Sequence, residues 1–141
     1  MSKHAVVAVV NYHDKILLGK KKQDSPKFLA GEWHIPGENV EDNESDQEAL
    51  IRGIKEEAKL EITVGKYLGK HTTPTSQKEA RWYECFASDS QVVCGSDLGD
   101  IKWVPRNEVL SHCGSKVTTL WPENIKKYFI LFQHICHTIQ S

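Results

Sequence analysis

Apolar and polar positions fall into blocks along this chain. Ala5 to Val10 is apolar without a break and rich in β-branched residues, the pattern of a strand buried on both faces, and Asn11 to Lys15 supplies turn chemistry before Ile16, Leu17 and Leu18. The spacing predicts a hairpin. Lys20 to Gly31 is polar and holds Pro26 and Gly31, as a loop would, and the short apolar piece Trp33 to Ile35 is halted by Pro36 and Gly37. A stretch rich in carboxylates follows. Ser45 with Glu48 three residues on makes a capping box, and Leu50, Ile51, Ile54 and Ala58 recur at helical spacing, so a helix is predicted from about Asp46 to Lys59. Leu50 and Ile54 should be buried, because they oppose Arg52 and Glu56 around that helix.

Ile62 to Lys70, Arg81 to Ala87 and Ile101 to Val104 read as further strands, separated by connections with Pro, Ser and Gly. Pro122 suits the first turn of a last helix, with Ile125, Tyr128, Phe129, Phe132, Ile135, Cys136 and Ile139 on one stripe. Hairpin, loop, helix, strands, helix is the order of an α/β/α sandwich around a mixed sheet, and no repeat or linker divides it. A single domain over residues 1–141 is expected.

Composition narrows the setting. With 141 residues and 39% apolar content the chain can fill one core. Charge is close to balanced, 18 basic against 19 acidic residues, so no global field favours a nucleic-acid polymer or an anionic membrane, and any charged ligand has to be caught locally. The longest apolar run is too short for a bilayer span and the N-terminus does not resemble a signal peptide, so a cytoplasmic protein is expected. Four cysteines, Cys85, Cys94, Cys113 and Cys136, lie apart without a C-x-x-C pair, which fits reduced thiols.

The helix carries the candidate chemistry. Arg52 and Glu56 lie one turn apart with Glu57 adjacent, opposite the apolar side. Two neighbouring carboxylates joined by a third from a loop make a hard-oxygen site for Mg²⁺ or Mn²⁺, with substrate phosphates completing the coordination. Taken alone, a charged outer face is the rule for amphipathic helices.

Spacing adds more. The segment from Gly37 to Leu60, GENVEDNESDQEALIRGIKEEAKL, resembles the Nudix box, G-x5-E-x7-R-E-U-x-E-E-x-G-U with U aliphatic. With the box running from 38 to 60, Glu44, Arg52, Ile54, Glu56, Glu57 and Leu60 match, which is six of nine specified positions. Trp33-His34-Ile35-Pro36-Gly37 ahead of the box, Ile16-Leu17-Leu18 and the late Ile101 to Pro105 are similar to the same family. The resemblance implies a Nudix-type sandwich and hydrolysis of a diphosphate linkage in a small nucleotide or nucleoside diphosphate derivative with Mg²⁺ or Mn²⁺. It leaves room for a homodimer. Carried over by position, Glu56, Glu57 and the carbonyl of Gly37 would hold the metal, while Arg52 and Glu44 would orient and neutralise the cluster.

Three box positions differ. Gly53 stands where the family has a glutamate that binds metal or acts as base, Glu38 replaces the first glycine, and Lys59 replaces the glycine that ends the helix. Glycine at 53 either makes room for substrate or marks lost function, so a binding module with weak or no turnover stands beside the hydrolase, and Gly53→Glu is expected to raise kcat. Glu38 either adds a carboxylate near the metal that partly replaces the one missing at 53, or is an exposed loop residue. Asp97, shortly before Trp103, is a candidate metal ligand and base, against a plain Gly/Asp turn from Gly95 to Asp100.

Other candidates are fainter. Lys20 and Lys21, with Lys22, can reach phosphates or can simply solvate a sheet edge. Asn124 can read a purine edge, as in relatives that cleave nucleoside triphosphates, or bond its own helix surface. Pro74 is a weak pointer towards ADP-ribose. Trp33, Trp82, Trp103 and Trp121 offer stacking or core filling, and His134, Cys136 and His137 lack a second cluster for zinc.

Overall fold

The structure is a computed structural model that describes residues 4–22, 31–72, 77–95 and 98–130. β1 (Ala5–Tyr12) and β2 (Lys15–Lys21) form the predicted hairpin, with Asn11 opposite Ile16 and Tyr12 opposite Lys15. His13 and Asp14 turn it at φ 45 and 62, the left-handed pair that matches strand twist. The two strands then part. β3 (Trp33–His34) pairs with the far end of β2 and β4 (Gly37–Asn39) with the start of β1, so residues 33–39 wedge between them. On its other edge β1 runs parallel to β6 (Glu79–Ala87), which is antiparallel to β5 (Ile62–Thr72), and β7 (Leu98–Pro105) lies antiparallel to β2. The main path is β3-β2-β1-β6-β5, a mixed sheet as expected.

Alternation along the strands divides the core into two layers. Val6, Ala8, Val10 and Leu17 pack against α1 (Asp46–Ala58), while Val9, Ile16 and Leu18 face the other way. There they meet Val109, Cys113 and Val117 of α2 (Val109–Thr118), and Ile125 and Phe129 of α3 (123–130). A single 3-10 turn, Arg106–Glu108, links β7 to α2, and α2 is broken at Gly114, whose φ is 78. Leu50 and Ile54 are 2% and 3% exposed, as their position on α1 predicted. Each contributes about 1.5–3 kcal/mol by burial. Phe132, Ile135, Cys136 and Ile139 of the predicted stripe lie outside the described residues. No helix among the described residues is long and apolar enough to cross a membrane.

α1 begins as its sequence dictates. Glu48 N–H donates to Ser45 Oγ at 3.1 Å and Ser45 N–H to Glu48 Oε1 at 2.9 Å, the two bonds of a capping box. Its other end is closed by Lys59 at φ 55, ψ 39, with the Lys59 N–H donating to Lys55 O at 3.0 Å. Lysine thus takes the left-handed conformation that glycine adopts without a Cβ penalty. Lys59→Gly is expected to raise the free energy of unfolding in urea by about 0.5–1 kcal/mol. An unchanged or lower midpoint would mean that lysine adopts this geometry at no cost.

Candidate functional site

The wedge between β1 and β2 sets the site. Ala8 N–H donates to Pro36 O at 2.9 Å, and β4 then places Glu38 opposite Val6 in the register with β1. Val6 belongs to the layer beneath α1, and Glu38 meets α1 at Gly53. A small, mostly apolar cleft lies between these elements, with Gly37, Glu38, Gly53 and Glu57 on its wall and Val6 and Ala8 among its apolar lining.

Beside the cleft, Arg52 ties the carboxylate-rich loop to α1. It grips Glu44 bidentately, Nε to Oε2 at 2.7 Å and Nη2 to Oε1 at 3.0 Å, and Nη2 also donates to Asn39 O at 2.8 Å. Nη1 donates to Glu56 Oε1 at 3.0 Å and lies 3.7 Å from Glu38 Oε2, and Nε lies 3.1 Å from Glu41 Oε1. The planar fork of a guanidinium suits such multiple contacts. The hydrogen bond to Glu44 raises the Arg52 pKa against the opposing effect of burial, so the cation is permanent. In turn, Arg52 and the Glu41 N–H hold the Glu44 carboxyl below the usual carboxylate range.

The start of α1 is fixed to the sheet. Asp46 accepts from Tyr83 OH at 2.5 Å and from Arg81 Nη1 at 3.3 Å, and also bonds His4. Burial opposes its charge, yet these bonds keep its carboxyl below the ordinary value. The last turn of α1 is covered by the segment entering β7. Val93 N–H donates to Ala58 O at 2.9 Å and Gly95 N–H to Glu57 O at 2.7 Å. A Cβ on Gly95 would come 2.4 Å from Glu56 O, so only glycine fits this approach.

The structure brings some of the predicted residues together and not others. Gly37 and Glu57 share the cleft, and Arg52 joins Glu56 at its side. Asp97 lies outside the described residues, as do Pro74, His134, Cys136 and His137. Lys20 is carried elsewhere: its Nζ lies 5.8 Å from the centre of the Trp33 ring, which packs on the α2 side of the sheet with Leu18. Lys102 also covers that ring, at 4.3 Å. Lys21 sits at the register shift where β2 leaves β7, with its backbone bonded to Glu32 and Gly31. Asn124 Nδ2 donates to Leu68 O at 2.6 Å, so its amide serves β5 rather than an open edge for a base. Trp82 and Trp121 fill the core. The turn read from Gly95 to Asp100 is met in part: the Leu98 N–H donates to Gly95 O at 3.3 Å, an i to i+3 bond, and β7 then begins at Leu98, which pairs with Lys21.

Gly53 does not leave vacant room, contrary to one reading of the sequence. A Cβ there would lie 2.8 Å from Glu38 Cβ and 3.0 Å from its Cγ, so Gly53→Glu alone collides with Glu38 and is no simple gain. Sequence reasoning noted both residues without seeing that they touch. Register supplied the missing signal: residue 38 faces α1 only because β4 pairs with β1.

Of the residues lining the cleft, Glu38 and Glu57 carry carboxylates and Gly37 a carbonyl, oxygen groups of the kind Mg²⁺ or Mn²⁺ prefers. Among the described residues no three acidic, histidine or cysteine side chains are grouped so that they could hold a metal ion by themselves. A cation bound here would therefore need further oxygens from substrate phosphates or water.

Comparison with known proteins agrees with this geometry. The NUDIX domain pattern matches residues 2–127. Over 71 residues the chain is 38% identical to a CTP pyrophosphohydrolase of Escherichia coli K12, covering 50% of this chain and 51% of that one. Over 101 residues it is 32% identical to a Bacillus subtilis 168 protein provisionally named an 8-oxo-dGTP diphosphatase, covering 71% and 64%. The chain thus spans about half to two thirds of the length of these relatives. The crystal structure of a NUDIX hydrolase from Nitrosomonas europaea superposes with a TM-score of 0.73 at 18% identity, over 94% of this chain and 72% of that chain, a likeness of fold. With the domain pattern running through nearly all of its described elements, the chain belongs to the Nudix family.

Proposed function

We propose that this chain hydrolyses a diphosphate linkage in a small nucleotide or nucleoside diphosphate derivative, using Mg²⁺ or Mn²⁺. The observation that carries this reading is the cleft itself, where Glu57, Glu38 and Gly37 offer oxygen donors beside the Arg52 hub. Glu57, Glu56 and the Gly37 carbonyl would hold the cation, and when bound it would neutralise diphosphate charge and activate water. Arg52 keeps Glu56 and the loop in register through the contacts described above. In the reaction a water oxygen bonds to phosphorus and the bridging P–O bond breaks, its electron pair leaving with the departing phosphate. The proton of the water goes to a carboxylate of the site that is not occupied in holding the cation.

The binding-module alternative rested on Gly53 alone, and the presence of Glu38 against Gly53 weakens it. The names of the relatives suggest CTP and 8-oxo-dGTP as the first compounds to try. A panel of nucleoside triphosphates and nucleoside diphosphate derivatives, assayed with each metal for phosphate and diphosphate release, is expected to show turnover abolished by EDTA. Metal-independent turnover, or none on any member of the panel, would defeat the proposal.

A further inference from the structure

We propose that Glu38 supplies the metal-binding carboxylate that α1 lacks at Gly53, so that one ligand of this site has moved from the helix to strand β4. The inference rests on the hydrolase reading above and concerns which side chains complete its cation site.

The Nudix box specifies glycine at position 38 and glutamate at 53, and this chain has the reverse pair. In space the two positions touch. A Cβ on Gly53 would sit 2.8 Å from Glu38 Cβ, 3.0 Å from its Cγ and 3.5 Å from its Oε2, so Glu38 occupies the volume into which a side chain at 53 would start. Each residue permits the other: glycine at 53 admits the glutamate, and the glutamate excludes any larger residue at 53.

Orientation supports a role beyond filling space. Glu38 lines the same cleft as Glu57 and Gly37. Its Oε1 accepts from Asn39 N–H at 3.0 Å, and its Oε2 lies 3.7 Å from Arg52 Nη1, so the head group is steered while its side chain stays 27% exposed. A carboxylate held loosely by a cation and a backbone amide can turn to a divalent ion at little cost, and hard cations favour added carboxylate oxygen.

The test is Mn²⁺ affinity of the full chain, read by electron paramagnetic resonance, with thermal melts to verify folding. Glu38→Gln is expected to weaken binding by about tenfold or more, whereas the remote Glu61→Gln keeps wild-type affinity. Glu38→Gly should weaken it similarly, and the exchange Glu38→Gly with Gly53→Glu should recover affinity to within about threefold of wild type, because the carboxylate is returned from the other side. A purely space-filling role for Glu38 would leave affinity unchanged in Glu38→Gln, which keeps the side chain's volume and removes only its charge. Glu38→Gln with affinity unchanged, or an exchange variant binding no better than Glu38→Gly, would overturn the inference while leaving the hydrolase reading intact. Wild-type protein that binds Mn²⁺ no better than Glu56→Gln with Glu57→Gln would remove both.

Discussion

Arg52→Ala is expected to lower kcat/KM by about 10²- to 10³-fold and to destabilise the fold by about 2–3 kcal/mol, the range for losing charge-assisted hydrogen bonds. Both effects have one origin. The guanidinium joins Glu44, Asn39 and Glu56, so its removal releases the loop from α1 and leaves the Glu44 carboxylate, 14% exposed, without its strongest donor. Arg52→Lys should recover little, since one ammonium cannot span the bidentate Glu44 contact and the Asn39 carbonyl together. The pH dependence follows from Glu44. Its carboxyl is held below the unfolded value, so the stability it contributes is complete above the ordinary carboxylate pKa of about 4.3 and is lost as pH falls through the lower folded value. In Arg52→Ala the acid-unfolding midpoint should therefore move upward, as circular dichroism between neutral and acid pH would show. A variant with wild-type melting, acid midpoint and turnover would refute the hub.

Glu57→Gln should produce the larger catalytic loss, about 10³-fold in kcat, with cation affinity reduced in step. Glutamine keeps the shape but removes the charge at a side chain that lines the cleft and whose Oε2 is screened from solvent. Glu56→Gln should lose less affinity, because Glu56 is mostly exposed and shares its Oε1 with Arg52. Single-turnover kinetics at saturating Mn²⁺, paired with a binding titration, would separate the two. Wild-type kcat in Glu57→Gln would remove that residue from the site.

Local signals in the chain foretold a good part of this architecture. The capping box at Ser45, the buried pair Leu50 and Ile54, and the doubly buried β1 all arise from short-range patterns, and burial agreed with them. What depends on register between distant segments was not visible. Lys20 looked available to phosphates, but strand alternation puts it over Trp33 on the face away from the cleft. That Glu38 could stand in for the carboxylate missing at Gly53 was legible in the sequence, but that the two positions touch follows only from the pairing of β4 with β1. For α2 the resemblance implied a short helix after Ile101 to Pro105, and Val109, Cys113 and Val117 on its buried side recur at helical spacing, although its Ser, His, Cys, Gly and Thr residues are weak helix formers.

The segment over the end of α1 bears on how that part of the molecule opens. The carbonyls of Glu57 and Ala58 belong to the last turn, where a helix usually frays first because such groups face only water. Here they accept from Gly95 and Val93, so the turn that carries Glu56 and Glu57 cannot unwind without peeling away the segment that enters β7. Helix end and β7 entry thereby form one cooperative unit. The amide hydrogens of Val93 and Gly95 should exchange with solvent only when that unit opens, in step with those of the final α1 turn, although nearly forty residues separate the two in sequence.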